Sequence, residues 1–237
     1  AQLQSVRDRL THANVYTGSE GIVEALEAGA DVVICGRVTD VALYIGPMRY
    51  EFGWSADDWH HLGIGAALAH CIECGAQATG GLYAGGWQEI EGMADIGYPI
   101  GEISQDGTAV VTKTPGTGGA VTPGSVSEQM VYEILDPGNY LTADVTGDFT
   151  NIRLEQVGPD RVSISDVTGK PAPATLKVNM GYRAGFLGTA QWSYTWPDAV
   201  AKGHRSLELL EERLANVNFK AEETRVEWVG HNSMWAP

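Results

Sequence analysis

The chain has 237 residues, with 30 acidic side chains against 15 basic ones and a formal charge of −15. So acidic a surface repels nucleic-acid phosphates and anionic membranes, and no basic stripe offsets it. The length gives one large domain or two small ones, and 43% apolar with 19% charged residues is globular composition, not disordered.

Gln2 to Leu10 reads as a short helix, since Leu3, Val6 and Leu10 recur three and four apart. Arg7, Asp8 and Arg9 within it argue against a signal peptide. Ser19 is placed to cap a helix over Glu20 to Ala28, with Gly29 as its stop. The apolar run Asp31-Val32-Val33-Ile34-Cys35 suits a strand buried on both faces of a parallel sheet. Gly36-Arg37-Val38-Thr39-Asp40 then turns into a helix starting at Val41. Helix, strand, Gly turn and helix together predict one unit of a doubly wound α/β sheet. One buried parallel strand does not stand alone, so the reading also expects an N-terminal portion from outside this chain.

A long helix is predicted from Trp54 to Cys74, capped by Ser55 and stopped by Gly75. Strands are predicted at 98–103 and 109–113, joined by the turn Gln105-Asp106-Gly107. A helix from about Ser125 to Leu135 starts at a capping-box pattern, Ser125 with Glu128. Beyond Asp136-Pro137-Gly138 the pattern alternates like strands at 149–156, 161–165, 174–182 and 189–194. A helix follows from Pro197 to Leu214, then a last strand over 219–229. The expected fold is therefore α/β: a mostly parallel doubly wound sheet over residues 1–140, then an α+β module with antiparallel strands over residues 141–237.

Three glycine-rich segments are candidates for anion binding, a use suggested by 30 glycines in short loops. In the first, a strand end meets a helix start at Arg37, Thr39 and Asp40. Arg37 offers a fork suited to carboxylate or phosphate, and Asp40 an acid or base. A simple helix cap with a surface ion pair is the equal alternative. The second is Thr79-Gly80-Gly81, where a tight connection is equally consistent with the sequence. The third is Lys113 followed by Thr117, Gly118 and Gly119; its spacing is neither a Walker loop nor a dinucleotide fingerprint. Three cysteines make no disulfide framework, Cys71-x-x-Cys74 lacks a second pair for zinc, and the histidines show no metal-ligand spacing. Trp192, Tyr194 and Trp196 form an aromatic stripe more suited to core or interface than to a substrate platform.

Several strings in order resemble the acyclic terpene utilisation (AtuA) family: Gly36-Arg37-Val38-Thr39-Asp40, Glu73 to Gly81, Ile96-Gly97-Tyr98-Pro99-Ile100, Pro115-Gly116-Thr117-Gly118-Gly119, Glu128-Gln129 and Leu154 to Val162. The resemblance covers nearly the whole chain but lacks the family's N-terminal stretch. It implies catabolism of branched acids or their acyl-CoA thioesters, a cytoplasmic setting and a homo- or hetero-oligomer, possibly with a chain supplying the missing portion. The functional expectation is a hydratase-type lyase with no cofactor and no metal. Asp40, Glu128 and Lys113 are its expected catalytic groups. Arg37, Thr39, Thr79, Gly80, Gly81, Thr117, Gly118 and Gly119 are its expected substrate contacts. A non-catalytic partner subunit and a binding module without turnover are the alternatives.

Overall fold

The computed structural model describes residues 3–231. The chain divides into two compact units, Ala1–Arg183 and Ala184–Pro237.

The first unit opens with α1 (Leu3–Val6), a single 3-10 turn and β1 (Leu10–Val15), followed by α2 (Glu20–Glu27) and α3 (Ala42–Phe52). The predicted first helix is thus only one turn, and Gln2 lies outside the described residues. α2 falls where Ser19 and Gly29 place it, with Gly29 in the left-handed region. The Ser19 side chain, however, donates to Asp144 Oδ1 at 2.6 Å instead of capping the helix.

The central element is α4 (Trp59–Ile72), buried continuously from Leu62 to Cys71. A helix apolar around its whole girth must be covered on all sides. Asp58, not Ser55, caps it, accepting from the His61 N–H. Next come β2 (Pro99–Ile103), β3 (Ala109–Lys113), α5 (Pro123–Val131), β4 (Tyr140–Leu141), β5 (Thr146–Asp148), β6 (Arg153–Gly158), β7 (Arg161–Ser165), β8 (Thr168–Lys170) and β9 (Val178–Tyr182). Thr122 and Ser125 form the capping box of α5, three residues upstream of the predicted pair.

Among the described residues three sheets result, ordered β2-β3-β7-β6, β4-β5-β8 and β1-β9, and every ladder is antiparallel. α4 packs against β2, β3 and β7 of the first and β5 and β8 of the second. Leu68 and Ala67 of α4 share one core with Val111 of β3, Val162 and Ile164 of β7, and Val126 and Met130 of α5. Gly63 lets α4 approach β8 at backbone distance, since a Cβ there would lie 2.7 Å from the Gly169 nitrogen.

The mixture of helices and strands is the expected α/β class, but the doubly wound parallel sheet does not form among the described residues. Asp31 to Cys35 runs outside any strand, with Val32 78% and Ile34 93% exposed. The run alternates, odd positions facing a groove and even positions facing solvent, where burial on both faces was expected. What survives of the parallel unit is one bridge, Thr17 to Val38, closed by Thr39 N–H donating to the Thr17 carbonyl at 2.9 Å. The strands after residue 141 also return to the first half, β7 onto β3 and β9 onto β1. The break in the chain's contacts therefore falls at residues 183 and 184, not near residue 140.

The second unit holds α6 (Ala199–Asn216), as predicted after Pro197. Residues 189–194 and 219–229 form no strand. Within this unit Tyr194 bonds Ser206, and the His204 and Trp228 rings lie 4.4 Å apart. Among the described residues no helix is long and apolar enough to cross a membrane.

Candidate functional site

The three predicted cradles meet different fates. In the third, the Gly118 N–H donates to the Asp95 carbonyl at 2.8 Å, and the Gly119 N–H to the Glu91 carbonyl at 2.9 Å. Gly92 crosses Gly118 so closely that a Cβ on Gly118 would overlap the Gly92 carbonyl. The Thr117 hydroxyl donates to the Thr114 carbonyl, and Lys113 Nζ donates to the Thr117 carbonyl at 2.6 Å while lying 3.4 Å from Asp160. This loop is stitched to its own neighbours, with Lys113 as the buried stitch.

The second cradle is interior as well. Thr79 is fully buried and its hydroxyl contacts the carbonyls of Ala76 and Gly97. The Gly81 N–H donates to the Ala76 carbonyl, and Gly80 has the Ile90 side chain against it. Glu128 accepts from the Ala84 N–H through both oxygens, at 3.2 and 2.9 Å.

The first cradle borders a cavity. Arg37 lies over the Tyr16 ring at 4.8 Å and 3.6 Å from Asp40, with its side chain 47% exposed. The Thr39 hydroxyl is buried without a partner. Asp40 reaches a cavity of about 340 Å³ whose other walls are Leu43, Tyr44, Glu73, Cys74, Tyr132 and Glu133. Asp40 thus shares this cavity with groups that the sequence reading did not select, and neither Lys113 nor Glu128 is among its walls.

Glu73 is the best-supported group in this cavity. It follows the last turn of α4, where the helix dipole disfavours a negative charge. His70, one turn earlier and 1% exposed, offsets this: its Nδ1 lies 2.9 Å from Glu73 Oε1. Its Nε2 lies 3.0 Å from the Gln129 carbonyl. A carbonyl only accepts, so Nε2 carries a hydrogen. Gln129, fully buried on α5, locks the assembly by donating its amide to the His70 carbonyl at 2.7 Å. Meanwhile Glu73 Oε2 is buried with no hydrogen-bond partner, on a side chain only 10% exposed.

The neighbours are tuned toward their neutral forms. Burial, reinforced by Glu73, raises the Tyr44 hydroxyl above its ordinary value, so it stays protonated as a donor. Burial raises the Cys74 thiol too, against the pull of the Gln129 amide, so Cys74 is a poor nucleophile. Tyr140, whose ring centroid is 5.3 Å from that of His70, is raised by burial and then by Glu73. The sequence signal for the pair was the spacing of His70 and Glu73, three apart and therefore adjacent on a helix. Among the described residues, no group of three or more His, Cys, Asp or Glu side chains is arranged to hold a metal ion.

A second polar network, partly buried, lies at the start of α2. Ser19 donates to Asp144 Oδ1 through its hydroxyl and its N–H, and Arg49 Nη1 donates to the Ser19 hydroxyl at 3.0 Å and to Glu20 at 2.9 Å. It ties the β1–α2 turn to α3 and to the loop before β5.

The family model for the acyclic terpene utilisation family protein AtuA matches residues 1–237. No curated protein and no solved structure matches the chain. With the whole length matched, the chain belongs to the acyclic terpene utilisation family AtuA and so to the utilisation of acyclic terpenes.

Proposed function

We propose that the chain is a catabolic enzyme of the hydratase or lyase type that needs no cofactor and acts on a branched acyl-CoA thioester in the cytoplasm. The observation that carries this reading is Glu73: one oxygen is held by a buried imidazole, the other is buried without a partner, and the residue lines a cavity that Asp40 and Tyr44 share. Such a carboxylate is a general base already oriented, and its relay partner can take up or release charge as a proton moves.

The walls also select between the two substrate forms considered. Asp40, Glu73 and Glu133 would repel a free carboxylate, whereas a thioester carbonyl carries no charge. In the proposed addition, the water oxygen bonds to the β-carbon of a conjugated double bond while Glu73 takes the water proton. The thioester oxygen, negative in the enolate, accepts from the Tyr44 hydroxyl. Glu73 then returns its proton to the α-carbon, closing the balance. Asp40 orients the water, and Arg37 at the cavity edge meets an anionic part of the carrier.

The test is hydration of trans-2-enoyl-CoA thioesters by the full chain. Glu73→Gln is expected to lower kcat by about 10²- to 10⁴-fold, and Asp40→Asn to lower it less. Equal activity in the parent and Glu73→Gln would remove the proposed base, and equal activity in Asp40→Asn would remove Asp40 from the mechanism. The alternative, a partner subunit without turnover, draws on the uncovered Val32 and Ile34. A clean monomer on size exclusion counts against it.

A further inference from the structure

A second cavity, of about 230 Å³, adjoins the first. Its walls are Ile22 and Leu26 of α2, Val33 and Cys35 of the extended segment, and Leu43 and Pro47 of α3, with Asp31 at the rim. Two observations tie it to the Glu73 cavity. Leu43 lines both. Asp40, in the turn before α3, and Leu43, Tyr44 and Pro47 on α3 recur three and four apart, so one stripe borders polar space at one end and apolar space at the other. The alternation of the 31–35 segment supplies the far wall by turning Val33 and Cys35 inward while Val32 and Ile34 face water.

Resting on the acyl-thioester reading above, we infer that this apolar groove is the tail subsite for the acyl chain whose reactive end occupies the Asp40–Glu73 cavity. An occupant lying along α3 puts uncharged methylenes against Leu26, Val33, Leu43 and Pro47. Half-exposed Leu43, at the junction, loses its contact with water when the chain passes over it. Asp31 is the groove's one charged side chain, and apart from the Cys35 thiol the other side chains that line it are apolar, which suits a hydrocarbon. The enzyme therefore prefers medium-length chains over short ones, and that preference resides in the groove.

Calorimetric titration of the full chain with decanoyl-CoA and butanoyl-CoA, both saturated and unreactive to water addition, reads the preference directly. Decanoyl-CoA is expected to bind at least about tenfold more tightly. Val33→Trp fills the groove from a segment that makes no ladder hydrogen bonds, and Leu26→Trp fills it from α2. Either is expected to bring the decanoyl Kd to within about threefold of the butanoyl value without moving the latter. Equal binding of the two thioesters by the parent, or a preference that survives both substitutions, overturns the inference, as does failure of both thioesters to bind. The hydration reading fails separately: no product from trans-2-decenoyl-CoA while the chain-length preference persists supports the groove and removes the reaction.

Discussion

At the residue scale, the His70–Glu73–Gln129 assembly concentrates the consequences. Gln129→Leu keeps the volume but removes the amide that satisfies the buried His70 carbonyl. Urea unfolding should show a loss of about 1–3 kcal/mol, the usual effect of orphaning a buried polar group. His70 and Glu73 could be seen as neighbours in the sequence, because three-residue spacing on a helix implies contact. Their burial could not, since it depends on α5 crossing the end of α4. The glycine loops mislead for the same reason in reverse. The sequence showed amides free to turn toward a ligand, but the carbonyls that take them, Glu91 and Asp95, come from a segment some 25 residues earlier whose approach only the fold reveals.

At the element scale, α4 was legible because an apolar run with acidic residues before it and a glycine after it has few other readings. β1 was not. Leu10-Thr-His-Ala-Asn-Val carries too few apolar residues to announce a strand, and its pairing is set by β9, far along the chain. Asp31 to Cys35 erred the other way, since a short apolar run looks alike whether both faces are covered or one. Where α4 meets β8, Gly63→Ala should destabilise by about 1–3 kcal/mol although alanine is the better helix former, because the added methyl presses on the backbone of Thr168 and Gly169. Chemical denaturation measures it. On β5, hydrogen bonds from Thr150 and then from Lys170 hold the Asp148 carboxyl at about 2, below its ordinary 3.8. A lowered folded-state value stabilises above the ordinary value and stops doing so as pH falls toward the lowered one. Thermal melts should therefore show Asp148→Asn less stable than the parent at pH 7, with the gap shrinking below about pH 4 and closing near about pH 2.

At the scale of the whole molecule, a charge of −15 on 237 residues makes self-repulsion a general force. Raising salt from about 0.1 M to about 1 M shortens the screening length from about 10 Å to about 3 Å. The melting temperature should rise over that range, and a fall would show that local ion pairs outweigh the net charge. The division at residues 183 and 184 escaped the sequence because alternation looks the same in a strand that returns to an earlier sheet and in one that starts a new domain.

The uncovered stretch from Val32 to Ile34 has a cost of its own. Backbone groups outside any ladder, flanked by branched apolar side chains, are a template on which unfolded copies can stack into fibrous aggregates. Asp31 stands at one end of the stretch and Arg37 just beyond the other, where charges act as gatekeepers against such stacking. The segment that walls the groove thus brings an aggregation hazard into the native state, and its flanking charges are what hold that hazard in check.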